Sequence, residues 1–452
     1  MELLASDRSP GMKLLLSLLV AAVLTIPVFT VYLLVYDRQN QSETARSSIA
    51  EGWGGPQILA GPLIVIPYQE EVSRTVQENG RPMTRTSVQR RELFLAPATL
   101  DLDTKIKPER RSRSIYEAVV YDADISGAAT FRLPADTARI VDIARLEFDK
   151  AELRFGVADP RGLKPVNRIA IDGRAVPAQP GNGPAATNGS GFFASFDAAR
   201  LRDGVVTARF AYALRGHSVV SLAPRAGATR WSVTSPWQHP SFTGGFLPES
   251  RNVTADGFSA TYRISNLALG MTLVGTSGSE ADPRTQEVRL VAEAQVGLIQ
   301  PVDLYAQVNR SVKYGFLFIG FTFMAFLLFD VVASVRVSVV EYLLVGAGLV
   351  LFFVLLLAFA EVIGFTPAYI VAAGGVIALL TAYSAAVLGS RHRAGFIAGL
   401  LVALYGVLYI LLSLEAYSLL IGSLLLFAAL AAVMYLTRNL DWGGRAAPPL
   451  AA

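Results

Sequence analysis

Apolar runs of membrane-spanning length constrain this sequence more than any other feature. The first extends from Leu14 to Tyr36, behind Arg8 and Lys13. A helix needs about 20 mostly apolar residues to cross a hydrocarbon core of about 30 Å. Five later runs come close to that length, and they are Phe316 to Val332, Leu343 to Ala360, Ala368 to Leu388, Phe396 to Leu412 and Tyr417 to Leu436. The sequence therefore predicts a polytopic α-helical membrane protein with six transmembrane helices.

The first run has the features of an uncleaved anchor rather than those of a signal peptide. A signal peptide has an apolar region of about 7–15 residues that ends in a small-residue cleavage site. This run is longer, and residues 35–39 (VYDRQ) offer no such site. Pro27 predicts a kink inside the run. The polar residues up to Glu51 keep a helical pattern, which we expect Gly52 to end.

The stretch between the first two runs has the composition and periodicity of a soluble β-rich domain. Leu100, Leu102 and Ile106 alternate with aspartate and lysine, which is typical of half-buried strands. Further strands are predicted at Leu63 to Tyr68, Glu92 to Leu95, Ala118 to Tyr121, Glu152 to Val157, Val205 to Leu214, Trp231 to Ser235, Ser259 to Ile264 and Glu287 to Val291. Residues 177–190, rich in Gly, Pro and Asn, predict a loop or a flexible insert. The pattern predicts one large antiparallel, sandwich-like domain.

These patterns divide the chain into five segments. They are an N-terminus with the first anchor (1–36), a juxtamembrane helix with the segment WGGPQ (37–58), a β-rich domain (59–313), a five-helix membrane bundle (314–436) and a tail (437–452). The β-rich domain thus lies between the first and second transmembrane helices.

The positions of the basic residues predict the orientation in the membrane. Basic residues favour the cytoplasmic side of short loops. With a cytoplasmic N-terminus, the residues that fall inside are Arg8, Lys13, Arg336, Arg391, Arg393, Arg438 and Arg445, whereas the short outer turns carry Glu361 and Glu415. Both termini are therefore predicted to be cytoplasmic, and the β-rich domain is predicted to lie outside. Arg38, Arg46, Arg310 and Lys313 oppose this rule, although long translocated domains weigh little in it.

Composition and missing motifs exclude several classes of function. The absence of Cys excludes disulfides, thiolate metal sites and thiol nucleophiles. The three histidines, His217, His239 and His392, are far apart, so we expect no metal and no cofactor. The net charge of +4 comes from scattered residues, which does not indicate nucleic-acid binding. No phosphate-binding loop, dinucleotide fingerprint or nucleophile elbow is present, so no enzymatic activity is predicted.

Four acidic residues at the ends of the apolar runs are candidate functional groups: Asp330, Glu341, Glu361 and Glu415. Ionisable groups are costly inside a bilayer and much less so at its interface. An interfacial ion-pair cluster of Asp330 and Glu341 with Arg336 is the simplest interpretation of those two acids. Glu415 lies just ahead of the last run, where a carboxylate stabilises the start of a helix.

Glu361 is different because it lies at the carboxyl end of its predicted helix, where a negative charge meets the unfavourable end of the helix dipole. It is either an exposed acid at headgroup level or the partner of Arg310 or Lys313. We favour the paired interpretation. In the β-rich domain, Trp231, Trp237 and His239 form either an aromatic binding surface or a packed loop, and we favour the packed loop because aromatic residues are common in protein cores.

Several long segments resemble the CreD family of bacterial inner-membrane proteins. They include WGGPQ at 53–57 and LAGP at 59–62, then HPSF at 239–242 and GFLPE at 245–249. The later segments are PVDLY at 301–305, VKYGFLFIGFTFMAFLLFD at 312–330, EYLLVGAGLVLFFVLLL at 341–357 and the stretch from Leu404 to Trp442. The resemblance covers nearly the whole chain and is weakest at about residues 79–189.

The resemblance implies a role in cell-envelope integrity under a two-component regulon, with tolerance of colicins and a response to β-lactam stress. It implies no enzymatic activity and no agreed site residues. We therefore expect a non-enzymatic interaction or scaffold protein whose periplasmic domain contacts an envelope protein or another envelope component beside the lipid bilayer. A transporter or channel that uses the bundle acids is the alternative. A membrane hydrolase with Glu361 and Glu415 as an acid–base pair is a third possibility.

Overall fold

The computed structural model describes residues 10–78, 81–165, 167–277, 293–299, 304–332, 339–388, 391–413 and 418–438. The chain divides into two compact units. One unit combines Met1–Glu43 with Val302–Ala452, and its described elements are helices. The other unit, Thr44–Pro301, contains every strand that the structure describes.

The first nine strands are β1 (Gln57–Glu78), β2 (Arg81–Leu95), β3 (Thr99–Arg113), β4 (Tyr116–Arg132), β5 (Ala151–Val157), β6 (Arg168–Ile171), β7 (Arg174–Val176), β8 (Gln179–Pro180) and β9 (Gly191–Phe196). The others are β10 (Val205–His217), β11 (Val219–Ala223), β12 (Ala228–Ser235), β13 (Pro240–Gly244), β14 (Ser250–Thr254), β15 (Gly257–Ser265), β16 (Val274–Thr276) and β17 (Ala294–Leu298). Every predicted strand within the described residues is confirmed. The strand predicted at 287–291 lies outside the described residues.

The strands form two sheets. Sheet A has nine strands in the order β13-β17-β11-β1-β5-β9-β8, with β2 also paired to β1 and β16 paired to β2. Sheet B has eight strands in the order β14-β15-β12-β3-β4-β10-β6-β7. The prediction of an antiparallel domain holds for most neighbours, but β1 with β11 and β3 with β12 are parallel. Alternation of side chains shows which face of a strand is buried and does not reveal the direction of its neighbour.

The apolar faces of both sheets share one hydrophobic core. In β3 the predicted alternation is confirmed, because Leu100, Leu102 and Ile106 are at most 3% exposed. Phe155 of sheet A lies with its ring centroid 5.0 Å from that of Phe210 of sheet B. Such ring contacts across the layers establish sheet-on-sheet packing.

The helices are α1 (Pro10–Glu51), α2 (Asn266–Leu269), α3 (Leu304–Lys313), α4 (Gly315–Val332), α5 (Val339–Ile363), α6 (Phe365–Leu388), α7 (Arg391–Ser413) and α8 (Ser418–Thr437). The helix α1 contains Pro27 and continues past the first apolar run to Glu51, as the polar helical pattern predicts. Within the described residues, four helical stretches are long and apolar enough to cross a membrane: Leu15–Glu51, Val340–Ile363, Phe365–Ala386 and Ala394–Leu412. The count of six spans stays a prediction.

The helix α3 was not expected from the sequence, because its residues fall in the range predicted for the β-rich domain. Its buried residues, Tyr305, Val308, Ser311 and Val312, lie on one face at helical spacing. At ten residues it is too short to cross a bilayer, and the search for long apolar runs did not detect it.

Aromatic side chains fill the interior of the helical unit. The ring of Phe352 on α5 lies 5.3 Å from Tyr369 on α6 and 4.7 Å from Tyr405 on α7, measured between centroids. The Tyr369 hydroxyl donates a hydrogen bond of 2.8 Å to the main-chain oxygen of Tyr405. These contacts join three helices through one cluster.

Candidate functional site

The segment WGGPQ, directly after α1, is held by the side-chain amide of Gln57. Gln57 is fully buried. Its Nε2 donates to the main-chain oxygens of Asp159 (3.1 Å) and Arg215 (2.9 Å), and its Oε1 accepts from Asp159 N (3.2 Å). All the hydrogen-bonding groups of the amide except one acceptor lone pair are therefore used. This side chain joins the start of β1 to two distant parts of the fold.

The surroundings of Gln57 require glycine at two positions. Gly54 has a φ of +115°, and a Cβ there would lie 2.9 Å from the main-chain oxygen of Arg215. A Cβ at Gly162 would overlap that same oxygen and lie 2.9 Å from Gln57 Nε2. The close approach of these three backbone segments depends on both glycines.

Trp53 lies between two guanidinium groups. The Cζ of Arg111 is 3.7 Å from the ring centroid of Trp53, and that of Arg215 is 4.4 Å away. Trp53 Nε1 donates to the main-chain oxygen of Tyr121 at 3.3 Å. These cation–π contacts and the hydrogen bond attach the residue that follows α1 to β3, β4 and β10 of sheet B.

Asp159 completes the network around WGGPQ. Its carboxylate accepts hydrogen bonds from the Arg161 side chain (2.8 Å) and from Gly55 N (3.0 Å). The hydrogen bond from Arg161 is the main reason that the pKa of Asp159 falls to about 2, and the bond from Gly55 N lowers it further against the opposing effect of burial. The carboxylate is thus charged at every physiological pH.

A cavity of about 830 Å³ lies on the face of sheet A that points away from the shared core. Its floor is formed by Ile58, Ala60, Leu63, Val65 and Phe94, which alternate with core residues such as Ile64 and Leu95. This volume is within the range of about 300–1,000 Å³ that is usual for ligand sites with mostly apolar linings.

The cavity lies where one edge of β1 changes neighbour. Residues 57–60 pair with β11, and from Ile64 onward the same edge pairs with β2. The opposite edge pairs with β5, with a register shift between Ala60 and Leu63. A gap therefore opens between β11 and β2 beside Gly61, which lines the cavity.

Two segments form the walls of the cavity. Residues 183–189 are closed by main-chain hydrogen bonds between Gly183 and Gly189 (2.8 Å), and buried Thr187 contacts the Pro184 oxygen at 3.1 Å. The region predicted as a loop or flexible insert is thus a hydrogen-bonded loop. The other wall comes from Leu269 at the end of α2 and from Met271.

Charged side chains lie among the lining residues. Arg154 is only 13% exposed and contacts the carboxylates of Glu92 (2.7 Å) and Glu152 (2.8 Å). Arg225 and Glu293 also line the cavity. An apolar floor with ionised groups beside it suits an amphipathic ligand.

The acids predicted in the membrane bundle lie in different environments. Glu361, near the end of α5, accepts a hydrogen bond of 3.1 Å from the hydroxyl of buried Tyr305 on α3. Tyr305 is the partner of Glu361 that the structure describes. It was not expected, because α3 was not predicted from the sequence. The pairing of Glu361 with Arg310 or Lys313 stays a prediction.

Of the remaining predicted acids, the structure describes the side chain of Glu341. Glu341 is half-buried in the first turn of α5, where the helix dipole favours a negative charge. Asp330 lies in α4, but its side chain, Arg336 and Glu415 lie outside the described residues. The predicted cluster of Asp330, Arg336 and Glu341 stays a prediction.

Trp231 is packed in the core and does not belong to an exposed aromatic surface. This residue is fully buried, stacks on Tyr262 with centroids 5.0 Å apart and donates from Nε1 to Thr104 Oγ1 at 3.0 Å. The side chain at position 231 is on the inward-facing side of β12, because successive side chains of a strand point to opposite faces. The residue is therefore buried although the proline-rich turn is close to it in sequence. Trp237 is half-buried and donates to the His239 and Ile299 oxygens, whereas His239 is exposed and lines a shallow depression of about 390 Å³.

Among the described residues, no group of three or more His, Asp or Glu side chains could hold a metal ion. The sequence reasoning missed the cavity and the role of Gln57. A buried Gln between a glycine pair and an apolar strand was the available signal for the latter.

Comparisons with known proteins agree on one family. The family described as Inner membrane protein CreD matches residues 9–443 of this chain. The Inner membrane protein CreD of Escherichia coli (strain K12) is 31% identical over 435 residues, which cover 95% of this chain and 93% of that protein.

The low pKa of Asp159 predicts a pH-dependent contribution to stability. Because the folded-state pKa of about 2 lies below the unfolded value near 3.8, the contribution is complete above about pH 4 and disappears as the pH falls through 2. Asp159→Asn should lower the unfolding free energy in detergent by about 1 kcal/mol at pH 7, since exposed Arg161 is screened by solvent. Thermal unfolding of the native protein and of Asp159→Asn, measured from pH 7 to pH 2, gives the difference in stability, with Asp256→Asn in an exposed turn as control. A difference in stability that is the same at pH 7 and at pH 2 would contradict the low pKa of Asp159.

The contact between Tyr305 and Glu361 predicts a specific energetic coupling. In a double-mutant cycle of Tyr305→Phe with Glu361→Gln, the effects on unfolding in detergent should deviate from additivity by about 1 kcal/mol. The cycle of Lys313→Gln with Glu361→Gln should be additive to within about 0.5 kcal/mol. Coupling in the second cycle and additivity in the first would instead support the ion pair.

Proposed function

Because this chain belongs to the CreD family of inner membrane proteins, we propose that it supports the integrity of the bacterial cell envelope without an enzymatic activity of its own. In this proposal the helical unit anchors the protein in the inner membrane. The β-rich unit binds an envelope component. The family resemblance supports the role in envelope stress, including tolerance of colicins and β-lactams.

The observation that carries the binding role is the cavity of about 830 Å³ on sheet A. It is large enough for a ligand, its walls are held by hydrogen bonds, and Arg154, Arg225 and Glu293 lie beside an apolar floor. An amphipathic envelope component would bury its apolar part on Leu63, Val65 and Phe94 and keep its polar part beside the charges. Binding of this kind needs no catalytic group.

We further propose six membrane spans, cytoplasmic termini and a periplasmic β-rich unit. The helices α1, α4, α5, α6, α7 and α8 coincide with the six apolar runs. The distribution of Arg and Lys supports the orientation. The proposed domain boundaries follow the change from alternating to continuously apolar sequence.

Among the described residues of the bundle, no specific contact favours transport. Of the proposed path acids, Glu361 bonds to Tyr305 near a helix end and Glu341 lies in a first turn. Neither is placed near the middle of a described helix, where a substrate site of a transporter is expected.

The binding role predicts that filling the cavity abolishes function while the fold persists. Ala186 lines the cavity and is exposed, so Ala186→Trp should occupy the site without disturbing the core. Deletion strains should be sensitive to detergents, colicins or β-lactams when the stress regulon is induced, and Ala186→Trp should fail to restore resistance. Ala255→Trp, in an exposed hairpin turn, should restore it at equal membrane abundance. Wild-type resistance of the deletion strain would contradict the envelope role. Restoration of resistance by Ala186→Trp would contradict the proposal that the cavity binds an envelope component.

The proposed topology predicts the activity of alkaline-phosphatase fusions, because this enzyme is active only outside the cytoplasm. Fusions after positions near 180, 363 and 415 should be active, and those near 392 and 450 should be inactive. Activity at 392 would overturn the orientation. Expression levels of each fusion provide the control.

A further inference from the structure

The hairpin of β3 and β4 extends beyond the rest of sheet B. Its two strands pair as far as Arg113 and Tyr116, whereas β10 pairs with β4 only to Val120 and β12 pairs with β3 only to Lys105. Ser114 and Ile115 form the turn. We define residues 109–117 as the hairpin tip.

The hairpin tip lies along the polar end of α1. Arg46 Nε donates to the main-chain oxygen of Glu117 at 3.1 Å, and Arg113 Nη1 donates to Ser48 Oγ at 2.9 Å. Farther from the tip, Trp53 Nε1 donates to the Tyr121 oxygen at 3.3 Å. The tip thus contacts α1 at Arg46 and Ser48.

The residues of α1 that contact the tip are close to its apolar run along the helix. From Arg46 back to Tyr36, where that run ends, α1 rises by about 15 Å. Arg46 and Ser48 therefore belong to the polar turns that directly follow the apolar run.

The chemistry of the tip suits an anionic lipid surface. The tip and the adjacent turn of α1 contain four arginines and two glutamates, a net charge of +2: Arg46, Arg110, Arg111, Arg113, Glu109 and Glu117. Arg110 pairs with Glu117 (3.9 Å) and Arg111 pairs with Glu109 (3.3 Å), so the excess charge belongs to Arg46 and Arg113. Ile115 is 48% exposed at the turn, and Tyr116 is half-buried beside it. Basic residues around an exposed apolar side chain are typical of surfaces that bind anionic headgroups.

We propose that the hairpin tip contacts the headgroups of anionic phospholipids beside α1. Arg46 and Arg113 attract the phosphates, and Ile115 enters the interfacial layer. This contact provides a second attachment of the β-rich unit to the bilayer surface. It does not depend on the function of the cavity.

The absence of Cys in the native chain allows a direct test on the full-length protein. Ser114→Cys is labelled with an environment-sensitive fluorophore and reconstituted in nanodiscs that contain a lipid with a nitroxide on its headgroup. One set of discs contains phosphatidylcholine alone and the other contains added phosphatidylglycerol. Ala255→Cys is the matched control, because it lies in the exposed two-residue turn between β14 and β15 of the same sheet.

The fluorophore at 114 should be quenched about twofold more in discs with phosphatidylglycerol than in those without, and the fluorophore at 255 should not respond. Arg113→Gln should reduce the difference at 114, whereas Arg174→Gln, exposed on β7, should leave it unchanged. Equal quenching at 114 and 255, or no effect of phosphatidylglycerol at 114, would overturn the proposal. Labelled variants that keep the native melting temperature report on contact rather than on folding.

Discussion

The hydrogen bonds of the buried Gln57 amide fix the start of β1, and sheet A depends on β1. This strand is the only described one with three neighbours in the sheet, β11, β2 and β5. The amide sets its first residue against Asp159, after β5, and Arg215, in β10 of the other sheet. A buried polar group with satisfied partners specifies one arrangement, because any other would leave several groups unpaired.

The cavity is a consequence of the same strand. Because β11 and β2 share one edge of β1 without meeting, the sheet has a gap beside Gly61 that side chains do not fill. Leu63, Val65 and Phe94 turn apolar surface to the outer face there, where an ordinary sandwich would carry polar residues. The fold thus makes a ligand-sized site from the way β1 changes neighbour.

The spacing of apolar residues in the sequence predicts much of the fold, but it does not predict the candidate site. Continuous apolar runs predicted the helices, and alternation predicted strands such as β3 and β10, because burial of a face is encoded locally. The parallel neighbours, the gap beside Gly61 and the contact of Tyr305 with Glu361 depend on residues far apart in sequence. The burial of Trp231 likewise depends on its position on the inward-facing side of β12 and not on the aromatic residues that are near it in sequence.

The measurement that tests the role of Gln57 most directly is hydrogen–deuterium exchange of the full-length protein in detergent. In Gln57→Leu, which keeps the size of the side chain and removes its hydrogen bonds, peptides that cover residues 53–60 and 157–163 should exchange faster than in the native protein. Gln69→Leu, at an exposed position of the same strand, should leave both peptides unchanged. Native protection of both peptides in Gln57→Leu would show that β1 is positioned without the amide and would contradict this account.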